Sequence, residues 1–379
     1  MSQPISPTPQ TAIAGDPERE IFPGGAKPQL ALIQVSRGMA ALLVLLFHVN
    51  QLSETKLHQP FCFNLFRFGG AGVDFFFVLS GFIIFFVHRS DIGQRDRLRP
   101  FAVKRLIRIY PLYWIVTLLL LPAYFLVPSF GQGHENHLTS IVNSLLLLPQ
   151  ERGPILTVGW SLCYEVFFYI MFGLAILLPL KISFYLISLW LSVSVLNTVF
   201  ESIFLIESHF IIQFLFSFHT IEFSFGCLAA YLVIKYPCRG LFLLVFGSTV
   251  FVLAGIGQSY HLLQLHPAIA YGLPAMLILV GAATLDLKQS INPPQCLSSL
   301  GDASYSIYLT HYPCLSVAVK LAFACNLFVV FGHGLTFALL ILIALTLGWL
   351  FYLKVERPLI TALRKRLLLP PVRKSYHTQ

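Results

Sequence analysis

Hydrophobic positions in this chain neither alternate nor recur at every third or fourth residue; they run continuously. About ten long apolar stretches cover residues 30–49, 70–88, 110–130, 157–180, 182–200, 209–233, 240–257, 267–285, 303–324 and 330–353. Each is near the roughly 20 residues that a helix needs to cross the hydrocarbon of a bilayer. A β-barrel would read instead as segments of about ten residues with alternating polarity. The pattern therefore predicts an all-α fold, a polytopic membrane helical bundle of about ten transmembrane helices. The fourth and fifth stretches are divided only by residues 178–182, which leaves nine or eleven spans open. Residues 1–28, rich in Pro, Gly, Gln and charge, read as a disordered cytoplasmic tail and not as a signal peptide. The membrane domain is expected over 29–356, followed by a basic cytoplasmic tail over 357–379.

Composition agrees with the pattern. The 379 residues are 56% hydrophobic and 11% charged, against about 25% charged for an average soluble domain. So few charges exclude soluble, fibrous and disordered classes. Net charge is +9. In a membrane protein such an excess marks cytoplasmic loops and lipid headgroups, so no nucleic-acid partner is expected. With a cytoplasmic N-terminus and ten spans, 20 of the 25 Lys and Arg residues fall on the inside. Three (Lys56, Arg67 and Arg152) fall outside. That bias places both termini in the cytoplasm, and the plasma (inner) membrane is the expected location. Seven scattered cysteines with no C-x-x-C give neither a zinc site nor a redox motif, and no metal is expected. Cys62 and Cys325 both fall on external loops, where a disulfide could join them.

Ionisable residues inside apolar segments are functional candidates, because hydrocarbon penalises them. In the first span, Arg37 and His48 are separated by ten apolar or small residues. Eleven helical steps come to within about 20° of whole turns, so both side chains share one face, about 16 Å apart along the axis. Spacing alone leaves two readings open. The pair could bracket a substrate crossing the membrane, or Arg37 could snorkel while His48 sits at the outer interface. Asp74 follows a glycine-rich entry, Gly69-Gly70-Ala71-Gly72, and could orient a histidine or simply cap its helix. Lys104, Arg105 and Arg108 form a cationic edge at helical spacing before the third span. Such an edge suits phosphates, while positive-inside anchoring accounts for part of it. Glu165 lies about half a span deep in the fourth segment, near Trp160, Ser161 and Tyr164. It could shuttle protons or bond a neighbouring helix. His219 and Glu222, three apart, are expected to satisfy each other. Ser304, Tyr308 and His311 fall at i, i+4 and i+7 and form one polar stripe expected to face the bundle interior.

Read in order, these residues resemble the acyltransferase 3 family, membrane-bound acyl-CoA-dependent O-acyltransferases of surface sugars. The resemblance rests on Arg37-x10-His48 and the block from Gly72 to Phe82. It continues in Phe101-x3-Arg105-x2-Arg108-Ile109-Tyr110-Pro111-x-Tyr113-Trp114 and Trp160-Ser161-Leu162-x2-Glu165-x2-Phe168-Tyr169. It closes with the stretch from Leu300 to His311 and with Glu356-x-Pro358, and so covers about residues 30–358. Cys163, Tyr164 and Val166 depart from the family's usual residues. With 23 residues after Glu356, the esterase-like domain that some relatives append is not expected. The resemblance implies acyl-CoA, by default acetyl-CoA, as donor, held by Arg37, Arg105 and Arg108. It implies a carbohydrate or glycolipid acceptor whose hydroxyl His48 deprotonates, with Glu165 or Asp74 orienting the imidazole; an acyl-His48 intermediate is the other route. Trp160, Ser161, Tyr164, Tyr308 and His311 would line the substrate path, with membrane lipids around the bundle. A sugar-lipid flippase or a non-catalytic scaffold is the competing reading; the first predicts flux without acyl-CoA, the second tolerance of substitution at Arg37, His48 and Glu165.

Overall fold

The computed structural model describes residues 30–127, 131, 133–204, 209–289 and 291–368. The expected tail over 1–28 and the end of the basic tail lie outside the described residues. Among the described residues, ten helical segments are long and apolar enough to cross a membrane, and no strand occurs. Their α-helices are α1 (Ala31–Leu57), α2 (Ala71–His88), α3 (Leu98–Leu126), α4 (Trp160–Leu177) and α5 (Leu180–Phe204). The second half comprises α6 (His219–Lys235), α7 (Gly240–Ser259), α8 (Leu273–Leu287), α9 (Ser304–Ala324) and α10 (Leu327–Phe351). The chain is thus an all-α polytopic membrane bundle.

The doubtful boundary resolves into two spans. Leu178, the residue before Pro179, takes extended angles (φ −96°, ψ 150°) that end α4, as steric clash with the proline ring requires. The third helix begins twelve residues before its expected start near 110. Its 29 residues make it about 44 Å long at 1.5 Å per residue, longer than the roughly 30 Å of hydrocarbon. Lys104, Arg105 and Arg108 therefore ride on the first turns of a continuous helix, where Pro100 costs no helical hydrogen bond. Residues 357–368 form a helix, Arg357–Leu368, joined to α10 through one π-helical turn, Tyr352–Glu356. Cys62 and Cys325 are free thiols.

Close approach fixes the centre of the bundle. A Cβ placed on Gly226 of α6 would lie 1.8 Å from the Val78 carbonyl of α2, and one on Gly81 would lie 2.0 Å from the Phe223 carbonyl. Only glycine admits this backbone contact, the small-residue packing that substitutes for a hydrophobic driving force in lipid. The start of α1 is held from α8. Asp286 accepts hydrogen bonds from the amides of Leu32 (2.9 Å) and Ile33 (3.1 Å), which satisfies donors that no helical carbonyl reaches. One apolar cluster joins α2, α3, α4, α6 and α9 around Phe77, Tyr113 and Phe168. A second joins α2, α7 and α8 around Phe82, Phe251 and Leu279. A third joins α1, α9 and α10 around Leu45, Leu315 and Phe337. Helix α1 gives buried residues to all three clusters, and α2 gives them to the first two and packs Phe76 against the third.

Candidate active site

A cavity of about 520 Å³ opens among α1, α2, α3, α4 and α9. One end is cationic: Arg37, Lys104, Arg105, Arg108 and Arg364 line it, against the single carboxylate Glu165. Arg37 donates to Ser304 Oγ through Nε (3.0 Å) and Nη2 (2.9 Å), and to the Gly301 carbonyl (3.1 Å). Arg108 forms an ion pair with Glu356 (2.8 Å), and its guanidinium lies 4.9 Å from the Tyr305 ring. Glu356 is 1% exposed and accepts a second hydrogen bond from the Ser306 hydroxyl (2.6 Å). A carboxylate this deep is stable only because a cation and a hydroxyl share its charge. Arg105 rests between the rings of Phe101 (5.7 Å) and Tyr169 (5.6 Å). Its Nε is buried with no hydrogen-bond acceptor among the described residues. Glu165 accepts the hydroxyl of Tyr169.

Beyond the cavity lies a pair of histidines. Tyr308 lines the cavity, and its hydroxyl is fixed by Ser161 (2.6 Å) and the Val158 carbonyl (3.1 Å). Its ring lies 5.9 Å from that of His311, which in turn lies 5.0 Å from that of His48. His311 is fully buried and its Nδ1 faces the Ile307 carbonyl (3.0 Å). His48 Nδ1 faces both the Val44 carbonyl (2.9 Å) and His311 Nε2 (3.1 Å). A carbonyl can only accept, so both rings are assigned as Nδ1–H tautomers. The single Nδ1–H of His48 is then shared between the Val44 carbonyl and His311 Nε2. The lone pair of His48 is left on Nε2, which has no hydrogen-bond partner among the described residues.

This geometry separates the expected residues into three groups. Arg37, Arg105, Arg108, Ser161, Glu165 and Tyr308 share the cavity. His48 and His311 pair beside it. Asp74 joins His219 and Glu222 in a cluster of its own, with ligand atoms within 4.8 Å of one another. Trp160 and Tyr164 ring that cluster, 5.7 and 4.9 Å from the His219 ring. Phe77 touches both aromatics and also lines the cavity. Neither Glu165 nor Asp74 hydrogen bonds His48 among the described residues; the place expected for a carboxylate is held by His311 and a backbone carbonyl. The stripe on α9 does face inward, with Ser304, Tyr308 and His311 all buried. Sequence reasoning left Tyr169, Ser304, Tyr305, Glu356 and Arg364 off the site. Ser304 stood on the stripe and Glu356 in the closing motif, so a signal existed for both. Arg364, in a stretch that read as solvated tail, gave none.

Residues 31–353 match the sequence model of a family described as acyltransferase domain. The chain belongs to the acyltransferase 3 family. It is 29% identical over 313 residues to the exopolysaccharide production protein ExoZ of Rhizobium meliloti (strain 1021), covering 79% of this chain and 92% of that one. It is 27% identical over 377 residues to a putative membrane-bound transacylase, BcsY, of Komagataeibacter xylinus, covering 90% and 84%. No solved structure matches the chain. Membership of the acyltransferase 3 family makes this an integral, multi-pass membrane acyltransferase. Two of the departures from the family's usual residues fall on packing positions: Cys163 is buried against the Gly159 carbonyl (3.5 Å), and Tyr164 stacks on Phe214 (4.5 Å).

Proposed function

We propose that the protein transfers an acyl group, by default acetyl, from cytoplasmic acyl-CoA to a hydroxyl of an extracytoplasmic or membrane-linked polysaccharide. The observation that carries this reading is the polarity of the site. A cavity rich in arginine leads, by way of Tyr308, to a histidine with a free Nε2. Arg37, Arg105, Arg108 and Arg364 bind the donor's phosphates, for which guanidinium offers a planar fork. The pantetheine arm enters the apolar part of the cavity past Phe76 and Ile84 and carries the thioester towards Tyr308. The name of one relative, an exopolysaccharide production protein, supports a polysaccharide acceptor, and that of the other, a putative transacylase, supports acyl transfer.

A sugar hydroxyl is almost fully protonated at neutral pH and attacks poorly without a base. His48 Nε2 takes the hydroxyl proton as the oxygen attacks the thioester carbonyl. The tetrahedral intermediate collapses with cleavage of the C–S bond, and the imidazolium returns the proton to the departing thiolate. His311 Nε2, 3.1 Å from His48 Nδ1, orients the ring and shares the proton on Nδ1 while the imidazolium exists. That task falls to an aspartate in serine hydrolases.

Mass spectrometry of surface glycans tests the proposal. Cells lacking the gene are complemented with the wild-type chain or with His48→Ala. The expected result is an acyl mass increment with the wild type and none with the variant at equal membrane abundance. An increment that persists with His48→Ala removes the base from the mechanism, and a change in glycan abundance without any increment favours transport.

A further inference from the structure

Asp74 of α2 and His219 and Glu222 of α6 lie outside both the cavity and the histidine pair. Three residues along α6, His219 and Glu222 share a face. The Gly81–Gly226 contact brings α2 against that face, and with it Asp74. Ligand atoms of the three side chains stand within 4.8 Å of one another. His219 Nδ1 is 3.0 Å from Glu222 Oε2. Glu222 is fully buried, and among the described residues its other oxygen, Oε1, meets no N–H or hydroxyl donor.

Charge makes the cluster incomplete as it stands. Among the described residues, neither carboxylate has an arginine or lysine partner. The surroundings are the rings of Phe77, Trp160, Tyr164 and Phe218, which lie 4.1–5.7 Å from the His219 ring. Two carboxylates with no counter-charge in such an environment are strongly unfavourable. Either a proton shared by the two carboxyls or a cation held by all three side chains relieves that cost, and the imidazole of His219 beside them is a ligand that a shared proton does not need.

We infer that Asp74, His219 and Glu222 form a binding site for a divalent first-row transition metal ion of the zinc class. Two carboxylates and one neutral imidazole cancel the ion's charge and match its mixed oxygen and nitrogen preference. Ligands at about 2.1 Å from one ion stand at most about 4.2 Å apart, so the cluster closes on an ion with side-chain movements below an ångström. Three protein ligands leave a coordination position free for water or an added hydroxyl.

Metal content of the full-length protein in detergent tests the site, with Zn²⁺ as the probe. The wild type is stripped with chelator, reloaded and desalted, and the bound ion is counted by inductively coupled plasma mass spectrometry. The expected result is about one Zn²⁺ per chain for the wild type and less than about a tenth of that for Asp74→Asn and Glu222→Gln. Zn²⁺ is also expected to raise the unfolding temperature of the stripped wild type and to leave that of Asp74→Asn unchanged. A stripped wild type that neither retains Zn²⁺ nor gains thermal stability overturns the inference and makes the dyad a pair of carboxyls sharing a proton. Equal retention by Asp74→Asn also overturns it. If Glu222→Gln does not fold, the wild type with and without chelator still decides. The readout does not pass through acyl transfer, so this site and the proposed reaction stand or fall separately.

Discussion

At the residue scale, a buried charge is defined by its partner. Arg108 borders the cavity, and Glu356 beneath it is sealed from solvent and shared with Ser306. Removing one member of a buried ion pair leaves the other unpaired, at a cost of about 3–5 kcal/mol. Glu356→Ala should therefore lower the thermal unfolding temperature in detergent strongly. Glu356→Gln, which keeps the shape and one acceptor, should fold better and yet bind donor differently, because the Arg108 charge is then free to meet phosphate. The two histidines follow the same logic in the proposed reaction. His48 offers Nε2 as a base only because Val44 and His311 hold Nδ1 in the protonated form. General-base catalysis contributes about 10²–10⁴-fold, and loss of the base should appear in turnover and leave donor binding intact.

At the element scale, two features decide how the helices present these residues. The α2–α6 crossing has no room for a methyl group. Gly226→Ala sets a Cβ against the Val78 carbonyl, and overpacking of this kind costs about 1–3 kcal/mol, with a backbone atom as the obstacle placing it at the upper end. A fall in unfolding temperature and in folded yield measures it. The helix Arg357–Leu368 brings Arg364 and Leu368 to the cavity. Arg364 is exposed and worth at most about 1 kcal/mol to a bound anion, so Arg364→Ala should raise KM for acyl-CoA about fivefold with kcat unchanged, read by steady-state kinetics. The number of spans was legible in sequence because hydrocarbon thickness acts on every apolar run alike. The early start of α3 was not, since its first turns are polar and carry the cationic edge. The break at Pro179 was ambiguous because the two apolar runs it divides lie only a few residues apart. The helical state of 357–368 was hidden, because its basic residues resemble any solvated tail until something is seen to pack against them. The same limit hid His311 as the partner of His48: the two lie 263 residues apart, and nothing in either segment names the other. Asp74, His219 and Glu222 show the halfway case, since spacing joins the last two and only packing adds the first.

At the scale of the whole molecule, the proposed chemistry requires the arginine-rich end to face the cytoplasm. Cysteines that the chain already carries provide the test. Cys62, Cys296 and Cys325 are all exposed, and the orientation expected from the distribution of Lys and Arg would have the first and last outside and Cys296 inside. A membrane-impermeant maleimide should label Cys62 and Cys325 on intact spheroplasts, and Cys296 only after permeabilisation. Labelling of Cys296 from outside would reverse the site and remove acyl-CoA as a cytoplasmic donor. The Arg108–Glu356 pair also has a consequence in time. The two residues are 248 positions apart, and a ribosome adding about 5–20 residues per second needs roughly 12–50 s to make the second after the first. For that interval Arg108 lacks the carboxylate that pairs with it in the folded bundle. The partner of a residue in α3 thus comes from the segment after α10, and α3 cannot reach its final electrostatic state before that segment has been made.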